Sequence, residues 1–192
     1  MRPGPAASPI AITSPKHNPP GSGNVSPVGL LSWLGFKQED AYPNLDALLR
    51  ELRKALPEDE SVVLRYIAIV IVLLGKVACA DGRFNQHEDR KLRSLLSNIE
   101  RLNPASVDAV CDALQGKIPK MSEEELSLCY RELKALCDGR ERKEVMRLLV
   151  SIAVSDGAPS EAERAELENI AEELGVSLED LKALEGDPSA RL

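Results

Sequence analysis

Four carboxylates recur at a fixed spacing in this chain of 192 residues. Leu73–Leu96 reads "LLGKVACADGRFNQHEDRKLRSLL", and 75 residues later Leu148–Ala171 reads "LLVSIAVSDGAPSEAERAELENIA". Each stretch carries Asp-Gly, five residues and a Glu: Asp81, Gly82 and Glu88 in the first, Asp156, Gly157 and Glu163 in the second. Carboxylate oxygens are hard donors, so Asp81, Glu88, Asp156 and Glu163 suit a calcium- or magnesium-like divalent cation better than zinc or copper. The spacing also matches the second half of an EF-hand loop, where Gly makes the turn and the last Glu chelates. The first half fails, because the two leading ligand positions would be Val77 and Cys79 in one copy and Ile152 and Val154 in the other. An EF-hand is therefore rejected.

The same residues also have a purely structural reading. Gly82 and Gly157 can supply the left-handed position that ends a helix, and Asn85-x-x-Glu88 and Ser160-x-x-Glu163 are capping boxes that begin the next. The aspartates fit this reading less well. Val145, Leu148, Leu149, Ile152 and Ala153 form an apolar stripe that Asp156 continues, and Leu74, Val77 and Ala78 lead to Asp81 in the same spacing. Both aspartates are therefore expected to face the interior of their hairpins. Glu88 and Glu163 likewise precede apolar stripes, Leu92, Leu95, Leu96 and Ile99 in one copy and Leu167, Ile170, Ala171 and Leu174 in the other. An Asp at a helix C-terminus opposes the macrodipole, so a cation, a basic side chain or the turn's own N–H groups must compensate.

Helices must carry these turns, and the punctuation spells them out. Asn44 is read as the cap of a helix to about Leu56; Ser61 opens a long apolar helix that stops near Gly82, and Asn85 starts another to about Leu102. Asn103-Pro104 places an N-cap and an N1 proline before a helix ending at Gly116. Ser122-x-x-Glu125 opens a helix to Gly139; two more run over about 140–155 and 160–175, and Ser177-x-x-Asp180 opens the last, ending at Gly186. No segment alternates with period two for long enough to make a convincing strand. The expectation is an all-α fold: a compact bundle of about seven to eight helices with an internal pseudo-repeat of αα-hairpins, preceded by a disordered N-terminal tail. The bundle domain is assigned to residues 41–192 and the tail to 1–40.

Composition supports that division. The first 28 residues hold seven of the 13 prolines with no apolar periodicity, and no apolar run there is long enough for a secretory signal. Within 29–36, Leu30, Leu31, Trp33, Leu34 and Phe36 concentrate the only Trp and one of the two Phe. This segment reads either as a short helix that docks on the domain or as a linear motif for a partner. "VVLRYIAIVIVLLGKVACA" looks like a membrane span, but Arg65 and Lys76 leave ten uninterrupted residues, Tyr66–Gly75, which suits the central helix of a soluble bundle. Cys79, Cys111, Cys129 and Cys137 lie 32, 18 and 8 residues apart with no CxxC pair, which reads as buried reduced thiols in a cytoplasmic protein. Of the net charge of −7, the C-terminal part is the source: residues 156–192 hold 11 acidic and three basic residues, against 20 and 21 in the rest. Such a surface disfavours nucleic acid and anionic membrane and suits cations or a basic protein partner.

"KVACADGRFNQHE" and "IAVSDGAPSEAERAELENIAEELGVSLEDL" resemble the TerB-like domains of tellurite-resistance TerB proteins and the N-terminal domain of the co-chaperone DjlA. In those domains A-x-A-D-G-x5-E elements recur, followed by an "AEELG" helix. The resemblance implies a compact helical domain with an internal pseudo-repeat. It also implies that Asp81, Glu88, Asp156 and Glu163 correspond to family acidic positions suggested to bind divalent metal. Ser155 replaces the motif alanine in the second copy, and the chain has no HPD tripeptide, so a J-domain activity is not carried over.

Function is expected to be non-enzymatic. The chain has no GxGxxG, P-loop or HExxH, and its two histidines, His17 and His87, fall in the tail and in the first turn of a helix. The leading expectation is a TerB-like domain that binds a divalent cation through its acidic turns, linked by resemblance to tellurite resistance or stress response. The alternative is an adaptor that uses the LLSWLGF segment and the acidic helical surface to hold a protein partner.

Overall fold

A computed structural model describes residues 42–81, 86–97, 102–154 and 157–187. The tail, its apolar segment at 29–36, Gly82, Asn85 and Asp156 lie outside the described residues, as do the side chains of His87 and Glu88. The described residues form eight α-helices and no strand: α1 (Pro43–Ala55), α2 (Ser61–Ala78), α3 (Gln86–Ser97), α4 (Pro104–Lys117), α5 (Glu123–Leu136), α6 (Gly139–Ala153), α7 (Glu161–Leu174) and α8 (Leu178–Glu185). A 3₁₀ turn, Ile118–Lys120, follows α4.

α2 is the axle. By length and composition it could cross a bilayer, but it is 72% buried and packs against α1, α4, α5, α6 and α7. A helix apolar on all sides is stable in water only when other helices surround it, and here five do. Gly75 lets α4 come close, since a Cβ there would lie 2.8 Å from Leu114 Cδ2 and 2.9 Å from Ile118 Cγ1. Beside the buried capping residues Glu125 and Glu163, one ion pair enters the core. Arg65 of α2 meets Glu132 of α5 in a two-pronged pair, Nε and Nη2 donating to the two carboxylate oxygens, the latter at 2.8 Å. Glu132 is only 8% exposed, so the Arg is what makes its burial tolerable.

The repeat is visible in the packing, with a difference. α6 packs on α7, and α2 packs on both; α3 finds its neighbours in α4 and α6. Its only buried side chains among those described are Leu92, Leu95 and Leu96, a narrow stripe. On the polar side Arg93 ties α3 to α4, its Nε 2.7 Å from Asp89 Oδ2 and its Nη1 donating to Asp108.

Several helix ends differ from the sequence expectation. Asn44 does not cap α1: the cap position is Tyr42, and the Asn44 side chain donates to the Lys120 carbonyl at 3.1 Å and to Glu125 Oε2 at 2.9 Å. Glu125, 2% exposed, takes the capping role from 80 residues away, accepting from the Asn44 and Leu45 N–H groups at 2.9 and 3.4 Å. Its Oε2 also accepts from Ser122 N–H at 3.1 Å in the capping box of α5, so one carboxylate closes the N-termini of two helices. Gly139 does not end α5, which stops at Leu136 with Cys137 extended; it opens α6 behind Asp138, whose side chain accepts from Arg140 and Glu141 N–H at 2.8 Å. An Asp-Gly pair reads as a helix stop by composition, and the carboxylate makes it a start. Gly157 has φ 150° and lies beyond the end of α6 at Ala153, so it is a turn residue and not a left-handed helix cap; Gly175, at φ 67°, is one.

Candidate functional site

The end of α2 that leads into the first turn and the start of α7 that leaves the second lie side by side. Lys76, in the last turn of α2, places its Nζ 3.5 Å from Oε2 of Glu166, in the second turn of α7. The C-terminal end of α2 and the N-terminal end of α7 therefore lie together. The sequence spacing of 75 residues could not show this, because it depends on how α2 and α7 cross.

Glu163 is where its stripe predicts, 7% exposed on the inner face of α7. Its Oε2 accepts from Ser160 N–H at 2.7 Å, and Ser160 Oγ accepts from Glu163 N–H at 3.2 Å. This is the reciprocal capping box, and the negative charge lies at the helix end that favours it.

Asp81 departs from its expectation of an interior position. α2 stops at Ala78, where Cys79 N–H bonds the Gly75 carbonyl at 3.0 Å and Ala80 N–H bonds the Val77 carbonyl at 3.1 Å. Three residues past the helix the 3.6 period no longer applies, and Asp81 is exposed. The turn's own N–H groups satisfy the last carbonyls, which removes the conflict with the macrodipole that the sequence raised. Asp156 and the Glu88 side chain lie outside the described residues.

The donor chemistry of these turns suits a hard cation, since every candidate ligand is a carboxylate. One oxygen of Glu163 is already engaged by the cap, and Lys76 adds a positive charge on the adjoining helix. Among the described residues no group of three or more His, Cys, Asp and Glu side chains is assembled to hold a metal ion.

The other reactive groups are held quiet. None of the four cysteines forms a disulfide; Cys111, Cys129 and Cys137 are buried, and Cys79 departs from the sequence expectation in being half-buried. Burial, first, pushes the thiol of Cys111 up to about 11 and those of Cys129 and Cys137 up to about 12, with Arg93, Arg65 and Arg142 respectively acting the other way. Thiols so placed are poor nucleophiles at neutral pH. Tyr66 and Tyr130 are raised too, chiefly by burial. At the far end, a hydrogen bond from Lys143 and then one from Ser177 hold Asp180 below the usual carboxylate range, fixing α8 to α6 at 2.9 Å.

Residues 67–185 match the family of tellurite resistance protein TerB, from the first third of α2 to the last residue of α8. The chain belongs to the TerB family. No curated protein and no solved structure matches it. The TerB match contains both repeated turns and all four candidate carboxylates, and it leaves out α1 and the tail. Glu125, inside the match, caps the additional helix α1, which the buried Leu45, Leu48 and Leu52 pack against α2 and α4.

Proposed function

We propose that this TerB-family chain is a non-enzymatic module of the cytoplasm whose Asp-Gly-x5-Glu turns hold a divalent cation, calcium- or magnesium-like, in tellurite resistance or stress response. The observation that supports the reading is the ion pair between Lys76, in the last turn of α2 before the first Asp-Gly, and Glu166, one turn past the second Glu, which brings the helices flanking the two turns together. Asp81, Glu88, Asp156 and Glu163 are the donors. Two carboxylates per turn bind a hard cation weakly, and two turns at one end supply the charge of a shared ion. Cysteines outside disulfides, three of them buried, fit a reducing compartment. The acidic surface of residues 156–192 disfavours nucleic acid.

The test is cation-linked stability. A cation at about 100 times its dissociation constant stabilises the folded chain by about 2.7 kcal/mol, which raises Tm by about 5–10 °C. Asp81→Asn should abolish that rise while the helical circular dichroism in chelator is unchanged. An unchanged Tm in millimolar calcium, magnesium and manganese overturns the reading.

A second reading, an adaptor for a basic protein partner, is favoured by Glu161, Glu168, Glu172 and Glu173, all exposed on α7. Removal of residues 1–40 separates the two. Cation-linked stability survives the deletion, whereas partner capture through the LLSWLGF segment does not.

A further inference from the structure

α1 and α4 run antiparallel: Asn44, at the start of α1, reaches Lys120 just beyond α4, and the end of α1 meets the start of α4. Their outer seam is floored by small side chains. Ala47 and Ala55 on α1 and Ala113 on α4 are half-buried, and Ala105 and Ala109 on α4 are exposed. At its far end the seam deepens into a cleft of about 230 Å³ lined by Glu51, Lys54, Ala55, Asn103, Ala105, Ser106 and Ala109. Alanines leave room beside a helix pair where larger residues would fill it, so large apolar side chains from a third element can enter.

The chain carries such an element next to this seam. Five of the seven residues 30–36 are Leu, Trp or Phe, and the segment joins α1 through residues 37–41. Five residues reach at most about 17 Å. The cleft residues on α1 lie eight to twelve positions after Pro43, roughly 12–18 Å along the helix axis. A half-extended connection is thus long enough for Phe36 to reach Ala47 and for Trp33 to reach the cleft.

We propose that residues 30–36 dock in the α1–α4 seam of their own chain, with Trp33 seated in the cleft between Lys54, Ala105 and Ala109. The segment thereby extends the bundle with a further layer over the helix that the TerB match leaves out. The proposal is independent of the cation reading, because the seam lies on α1 and α4 and none of the four carboxylates takes part.

Trp33 is the only Trp in the chain, so its fluorescence reports this site alone. In the full chain, Trp33 should emit at shorter wavelength than in a peptide of residues 25–41. Its acrylamide quenching constant should be about tenfold smaller than the peptide's, as for a segment docked nine-tenths of the time or more. Ala109→Glu and Ala109→Leu, one repelling and one filling the cleft, should each restore the peptide's spectrum and quenching while the helical circular dichroism is unchanged. A wild-type Trp33 that quenches like the peptide overturns the proposal. So does protection that survives both substitutions, which places the segment elsewhere. Protection that fades on dilution assigns the docking to a second copy and overturns the intrachain reading.

Discussion

Replacing Glu125 removes a carboxylate that serves two helices at once. It is 2% exposed and accepts four hydrogen bonds: from Asn44 N–H at 2.9 Å, Asn44 Nδ2 at 2.9 Å, Leu45 N–H at 3.4 Å and Ser122 N–H at 3.1 Å. In Glu125→Ala the capping box of α5 is lost, which costs about 1 kcal/mol. The Asn44 and Leu45 N–H groups of α1 lose their acceptor as well; the longest bond, to Leu45, contributes little, and the pair from Asn44 to a charged group contributes about 2 kcal/mol once water re-enters. The sum is about 3 kcal/mol, or a fall in Tm of about 6–12 °C for a domain of this size. Glu125→Gln keeps the shape but points an amide donor at donors, and should recover less than half of the loss. Urea unfolding followed by circular dichroism gives the midpoint. Hydrogen exchange gives the location: amides of α1 should exchange faster in Glu125→Ala than those of α6 and α7, since this carboxylate caps α1. A loss below about 0.5 kcal/mol, within the range of an ordinary surface substitution, would refute the double-cap reasoning.

Gly75→Ala gains about 1 kcal/mol of helix propensity but drives a methyl to within 2.8 Å of Leu114 and 2.9 Å of Ile118, so a net loss of about 1 kcal/mol is expected in urea titration. Arg65→Ala strands the buried Glu132 and should cost about 3 kcal/mol, whereas Arg65→Met with Glu132→Leu should fold with near wild-type stability; equal losses in both proteins would contradict the ion-pair account. Alkaline stability follows from the thiols. Cys111, Cys129 and Cys137 have folded pKa values raised to about 11–12, so they stay neutral in the folded chain while the unfolded chain ionises near its ordinary value of about 8.5. Their contribution is complete below that value and is lost as pH rises through the window to about 11, with a slope of at most about 1.4 kcal/mol per pH unit for each thiol. Unfolding midpoints measured from pH 7 to 10.5 should fall, and the triple Cys→Ala variant should show a flatter profile.

The helices were legible because their signals are local. Pro104 after Asn103, the Ser-x-x-Glu boxes at Ser122 and Ser160, and Gly175 act within one turn of chain, and each stands where the sequence placed it. The central position of α2 was legible for a related reason, since an apolar surface on all sides leaves a soluble helix one place to go. What failed needed knowledge of distant neighbours. Asn44 looks like a cap by type, yet a carboxylate 81 residues away does the capping. Asp138-Gly139 looks like a stop, yet the Asp side chain turns it into a start. Asp81 was placed inside by extending a helical period past the point where α2 ends. Of the candidate carboxylates, Glu163 stands as its stripe and its capping box together indicated. The nearness of the end of α2 and the start of α7 rests on Lys76 and Glu166, 90 residues apart, and no pattern within either copy announces it.

The most direct measurement of the central claim is a calorimetric titration of calcium, magnesium and manganese into the full chain, beside Asp81→Asn and Asp156→Asn. Turns that share one end of the bundle predict a single cation per chain, with binding weakened at least tenfold by either substitution alone. Binding that survives both substitutions, or no heat for any of the three ions in a folded protein, would contradict the claim and leave the repeated turn as a structural corner.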